Sequence, residues 1–411
     1  VNQPWGNSTF RVLADPDVRG MALARFAALL GSSLVPTALA FGVLQLPDGS
    51  AAALGLVMAV ATLGQVVFVL PGGVISDRWP RKRVMIAAEV VAGASLIGCG
   101  VLLSTGQATV VSLAALAAFS GMATGLFYPA ATGFVPEISP PADLQSTNAF
   151  LKMAANLARI AGTAASGIIV ALAGSGPALI GGGILAVTAA LLIARLHPRF
   201  AVPDAPSGSP FADFAEGWRE FTARRWVVVI VVLGAISSFG FSAWLGVLGP
   251  LQASESGGVA QWAFISTAMA IGALLGVLVA LRIRSRRPLS VAVIALGLLS
   301  LPVLAAAAGT PIAVVVVAAF VAGVAVDLFA VLWETSLQQR VPQEALSRVS
   351  AFDWLGTFAM APVALAVAGP LVDAYGLTPV LWGAAALIAT APLALLEPQV
   401  RARVNAAFGQ S

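Results

Sequence analysis

The chain is 411 residues long; 59% of them are hydrophobic and 10% charged, and the mean hydropathy is +0.94. A soluble domain carries roughly 25% charge, so this composition excludes an ordinary water-soluble enzyme and makes lipid the main solvent. The net charge of +4 does not indicate a nucleic-acid partner, because the basic residues sit in short loops between apolar runs and not on one face of a soluble domain.

A bilayer crossing needs about twenty apolar residues. Such runs recur at 20–46, 51–75, 84–104, 109–134, 146–173, 177–196, 226–249, 259–281, 289–308, 311–338, 346–371 and 377–396. The first run is long and follows a polar-leaning stretch, so it reads as a retained helix and not as a cleaved signal peptide. The arginines test the count. Arg11 and Arg19 precede the first run, Arg78 to Arg83 follow the second, and Arg195, Arg199, Arg219, Arg224 and Arg225 follow the sixth. Arg282 to Arg287 follow the eighth, Arg340 and Arg348 flank the tenth and eleventh, and Arg401 and Arg403 close the tail. All fall on one side, and the loops on the other side lack Lys and Arg. By the positive-inside rule both termini are expected in the cytoplasm.

The longest connection divides the chain into a first bundle at 1–196, a linker at 197–225 and a second bundle with a short tail at 226–411. Pro203, Pro206, Gly208 and Pro210 interrupt regular structure. After them, Phe211, Phe214, Trp218 and Phe221 recur at helical spacing among charged residues, which predicts an amphipathic helix, either on the membrane surface or packed beneath the bundle. The two bundles resemble each other. Leu144-Gln-Ser-Thr-Asn-Ala-Phe150 echoes Leu346-Ser-Arg-Val-Ser-Ala-Phe352, and Gly276 to Arg284 reads as a degraded copy of the charged turn, with Ala280 in the place of Asp77. The fold class expected is therefore an all-α membrane protein of twelve transmembrane helices in two pseudo-symmetric six-helix bundles.

The spacing Gly73-x-x-x-Asp77-Arg78-x-x-Arg81-Lys82-Arg83 resembles the loop between helices 2 and 3 of the major facilitator superfamily. Pro136-Glu137 through Asn148-Ala149, Leu157 to Gly162, and Gln338 to Pro342 are similar to the bacterial branch that exports enterobactin and macrolides. The resemblance implies a secondary transporter in the cytoplasmic membrane, with Gly73, Asp77, Arg78 and Arg81 as a gate element. It also implies that helices 1, 4, 7 and 10 line a central cavity. Pro80 stands where the superfamily often has glycine, and Thr163 replaces the proline of the Gly-Pro pair found in proton-antiporting drug exporters.

Charges inside apolar spans are costly and face partners or wet cavities. Arg25, Glu89, Lys152, Glu334 and Asp353 lie near the basic ends of their spans and are candidates for an inner gate. Arg159 and Asp327 lie deeper, about 18 to 20 Å from the basic helix ends at 1.5 Å per residue. Asp327 is the leading candidate for binding a proton or a cationic substrate, with Glu334, on the same face, second; the other reading of Asp327 is a permanent ion pair with Arg159. Phe127, Tyr128, Phe239, Phe241, Trp244, Phe329 and Trp333 offer apolar surface to an amphipathic cargo or fill helix interfaces. Gly121, Gly125, Gly162 and Gly167 are assigned to close helix packing.

One cysteine, Cys99, and one histidine, His197, give no basis for a disulfide framework or a His/Cys metal site. No nucleophile-His pairing or phosphate-binding Gly-x-x-x-x-Gly-Lys-Ser/Thr is present. A non-enzymatic transporter is expected, without cofactor, driven by protons and not by ATP. Its partners would be the bilayer, protons and a small amphipathic substrate, and it would act as a monomer. Proton-coupled export of antibiotics, drugs or siderophores is the first functional reading; import or uniport of a metabolite on the same fold is the other.

Overall fold

The computed structural model describes residues 15–140, 143–200, 218–282, 288–341, 343–398 and 400, and every regular element among them is helical. Two compact units meet in sequence at Ala205 and Pro206. The first holds α1 (Pro16–Leu44), α2 (Ala51–Arg78), α3 (Arg81–Ser104), α4 (Val110–Ile138), α5 (Leu144–Ala173) and α6 (Ser175–Ala194). The second holds α7 (Arg225–Ser256), α8 (Gly258–Ala280), α9 (Leu289–Ala307), α10 (Ile312–Leu337), α11 (Gln343–Tyr375) and α12 (Leu377–Leu396). Eleven of these carry an apolar window long enough to cross a membrane, and α11 carries a shorter apolar section, Ala359–Tyr375. α7 passes through a π-helical turn at Trp244–Leu248, and α12 tightens into a 3₁₀ turn at Ala391–Leu396.

Capping moves several boundaries away from the sequence expectation. Asp15 is the N-cap of α1, accepting from the backbone N–H of Asp17 at 2.9 Å and of Val18 at 3.5 Å, and Pro16 occupies N1. An acidic cap followed by proline is a strong helix start, so α1 begins before residue 20. The Gly73–Asp77 segment is likewise not a loop. α2 runs through it to Arg78, Trp79 is extended, and α3 starts at Arg81. Nothing in Ser76-Asp77-Arg78 breaks a helix, and the restriction falls on the residue before Pro80.

Close helix packing repeats with an offset of six elements. α2 packs on α4, α1 on α5 and α6, and α3 on α4 and α6; in the second unit α8 packs on α10, α7 on α11 and α12, and α9 on α10 and α12. Glycines set the first of these contacts in both units. A Cβ at Gly121 would collide with the Ala61 carbonyl oxygen, and one at Gly323 with that of Met269. Gly64 lies against the Ala118 carbonyl and Gly272 against that of Phe320. This register pairs Gly64 with Gly272 and therefore Gly73 with Leu281, so Gly276 is not the counterpart of Gly73; it packs against the Val324 carbonyl. The turns α5–α6 and α11–α12 both rest on glycine in the left-handed region, Gly174 at φ 90° and Gly376 at φ 84°, which side chains with a Cβ rarely adopt.

Most of the linker and its Phe211 and Phe214 lie outside the described residues. Its described end is a packing element: Phe221 is buried, stacks on Phe352 at 5.7 Å between ring centroids, and joins Trp226, Trp333 and Leu337 in the core of the second unit.

Candidate functional site

Four helices of the first unit enclose a cleft. α1 contributes Arg25, Leu29, Ser32 and Val35, α3 Glu89 and Leu96, α4 Ser120, Thr124, Phe127 and Tyr128, and α6 Ala186. The small residues Ala28, Ala88, Ala92 and Ala123 also line it; they keep the helix walls thin where larger side chains would fill the space. Glu89 is 8% exposed and has no hydrogen-bond or ion-pair partner among the described residues, and the same holds for Arg25.

These two charges share the cleft. Counted from the observed helix starts at Pro16 and Arg81, both lie roughly 12 to 14 Å along their helices at 1.5 Å per residue. That is about a third of the way along α1 and α3, and both side chains line one cleft. A carboxylate and a guanidinium held there without counterions are relieved by a proton or by a charged ligand.

The gate motif works differently from a free turn. The Arg81 guanidinium donates to the Glu137 carboxylate at 3.1 Å and to the Gly133 carbonyl at 3.3 Å. A Cβ at Gly133 would lie 2.6 Å from Arg81 Nε, so that glycine makes room for the side chain. Lys82 Nζ donates to the Leu196 carbonyl at 2.7 Å, placing a cation at the C-terminal end of α6. The start of α3 is thus tied to the ends of α4 and α6. Arg78 is exposed, and the Asp77 side chain lies outside what is described.

A second tie, which the sequence reading missed, closes the same end. Arg199 Nη2 donates to both Asp15 oxygens, at 2.7 and 2.6 Å, and lies 3.2 Å from Asp17 Oδ2. The His197 backbone N–H donates to Asp17 at 3.0 Å. Partial burial alone would push the Asp15 carboxyl up, but Arg199 and the N–H groups of Asp17 and Val18 hold it below its ordinary value. A depressed carboxylate contributes stability that is complete above the unfolded value, about 4, and is lost as pH falls through the folded one. Asp15→Asn, which keeps a capping oxygen, should therefore lower thermal stability in detergent by under about 1 kcal/mol near neutrality, and the gap to the parent should narrow as the pH is lowered below about 4.

The remaining candidates divide by environment. Lys152 and Arg159 are exposed on α5, Gly162 packs against the Leu30 carbonyl of α1, and Gly167 is buried. In the second unit Asp327 is half-buried and Glu334 exposed, both on α10, and each has interactions of its own. Asp353 accepts from Trp333 Nε1 at 2.9 Å, tying α11 to α10. Two of the proposed cavity aromatics are packed inside the second unit instead. Trp244 is 1% exposed, edge-on to Trp262 at 5.5 Å, and Trp333 is 5% exposed, stacked on Phe329 and edge-on to Trp226. Large flat side chains fill helix interfaces well, which sequence alone does not distinguish from a cavity wall. Phe239 and Phe329 are half-buried, whereas Tyr128, at 42% exposure, presents its ring to the cleft.

Residues 21–359 match the family model of the Major Facilitator Superfamily. The chain belongs to this superfamily. It is a multi-pass membrane transporter and not an enzyme. Among relatives, it is 28% identical over 349 residues to the multidrug efflux pump Tap of Mycobacterium tuberculosis, covering 80% of this chain and 81% of Tap. It is 25% identical over 278 residues to the enterobactin exporter EntS of Salmonella typhi, covering 67% of this chain and 66% of EntS. Among solved structures, the nucleoside transporter NupG aligns with a TM-score of 0.74 at 14% identity over 92% of this chain and 98% of NupG. A bacterial homologue of the iron transporter ferroportin aligns with a TM-score of 0.73 at 14% identity over 96% of this chain and 99% of its own. At such identities the two structures establish the superfamily fold and nothing about cargo.

Proposed function

We propose that this superfamily member exports amphipathic small molecules from the cytoplasm by alternating access, coupled to protons, with the cleft of the first unit as the place where proton and cargo exchange. The observation that carries the reading is Glu89: a carboxyl 8% exposed that lines the cleft and makes no ion pair or hydrogen bond among the described residues. Such a group holds a proton or a cationic centre but not both, and that exclusion is what an antiporter requires. Leu29, Val35, Leu96 and Phe127 supply apolar wall, and Ser32, Ser120 and Thr124 a few polar atoms, the usual make-up of a small-molecule site. The efflux functions named for Tap and EntS support the outward direction. The basic ends of the helices face the cytoplasm in this reading, and Asp327 of α10 is a second candidate for proton exchange.

The test is transport of lipophilic cationic dyes and antibiotics by inverted vesicles, with and without a proton gradient. Uptake into the vesicles that collapses when the gradient is dissipated is the expected result. Equilibration indifferent to the gradient would replace the antiporter with a uniporter, and movement in the opposite sense would replace it with an importer.

A further inference from the structure

The cleft holds two opposite charges that leave each other unneutralised. Arg25 enters it from α1 and Glu89 from α3, yet no ion pair joins them, and neither has another ion-pair partner among the described residues. Each alone is costly within an apolar span, and a cargo bearing only a cation would satisfy Glu89 while leaving Arg25 unpaired. One molecule carrying both signs relieves both.

We propose that the cleft binds zwitterionic aromatic molecules, with the ligand's ammonium on Glu89, its carboxylate on the Arg25 guanidinium and its ring against Phe127 and Tyr128. The chemistry suits each role. Arginine presents a planar fork of donors to a carboxylate and keeps its charge throughout. Phe127 and Tyr128 both line the cleft and stand edge to face with centroids 6.4 Å apart, so they offer two differently oriented rings. Protonation of Glu89 removes the partner of the ammonium and leaves that of the carboxylate, so proton and ligand compete through one end of the ligand only. This inference rests on the cleft being the cargo site of the proposed exporter.

The probe is ciprofloxacin, which carries a secondary amine and a carboxylate on an aromatic system, compared with its methyl ester, which keeps only the amine, and its N-acetyl derivative, which keeps only the acid. Binding to the purified full chain in detergent should be weakened about 10-fold or more by either blockade, the loss expected for one charge-assisted contact. Glu89→Gln should bring ciprofloxacin down to the affinity of the N-acetyl derivative, and Arg25→Gln to that of the ester. The derivatives act on the unaltered protein, so the comparison survives if either variant fails to fold. An ester that binds as tightly as the parent overturns the proposal, as does absence of binding by all three compounds while cationic dyes are still pumped; both leave the export reading standing. Conversely, ciprofloxacin binding that needs both Arg25 and Glu89 supports the zwitterion site even if no dye is pumped, in which case it is the export reading that falls.

Discussion

Replacing Glu89 by glutamine should reduce proton-driven transport by about 10- to 100-fold, the loss of one charge-assisted contact in a dry site, while leaving the protein as stable as before or more stable. The two halves of that result are coupled by the same physics. Glu89 is buried on the wall of the cleft, and no ion pair among the described residues offsets the cost of removing its charge from water. A buried charge without a partner destabilises the fold, and glutamine keeps the shape while removing the charge. Structural carboxylates behave oppositely: neutralising Asp15 removes one of the two carboxylates that pair with Arg199. Thermal unfolding in detergent read beside transport in vesicles separates the cases. A fall in both stability and transport would make Glu89 a structural residue and would remove the central support for proton exchange in this cleft.

Sequence carried the fold further than the site, for identifiable reasons. Hydropathy windows locate helices of nineteen to thirty-two residues because the bilayer sets their length, and the arginine asymmetry checks the count independently. Depth along a helix is more fragile, since it depends on where the helix starts. α1 starts at Pro16, four residues before its hydropathy run, so distances counted along it shift by about one turn. The Asp15–Arg199 and Arg81–Glu137 ties were not legible because their partners are 184 and 56 residues apart. The glycine register shows the converse. Gly276 looked like a remnant of the charged turn, but the collisions it would make place it in the α8–α10 contact, a distinction that requires knowing which carbonyl lies opposite.

That contact and its counterpart in the first unit predict the largest losses of fold. At Gly121 the atom opposite is the Ala61 backbone oxygen, followed by the Ala61 carbonyl carbon at 2.8 Å, and at Gly323 it is the Met269 oxygen, again with its carbon at 2.8 Å. A backbone carbonyl in mid-helix cannot swing aside as a side chain can, so a new methyl must push two helices apart along their whole contact. Lipid competes for the exposed faces with equal affinity for apolar groups, so the lost close packing has no hydrophobic replacement. Gly121→Ala and Gly323→Ala should each cost about 1 to 3 kcal/mol, and leucine at either position should prevent recovery of a monodisperse protein. Gly73→Ala, on α2, is the control. Nothing lies within 4 Å of a Cβ there, and alanine is favoured over glycine in a helix by about 1 kcal/mol, so stability should hold or rise. If Gly73→Ala nonetheless slows transport, the need for glycine at that position belongs to the moving protein and not to the packed one; if Gly121→Ala proves neutral in unfolding assays, the α2–α4 interface yields more readily than its carbonyl geometry allows.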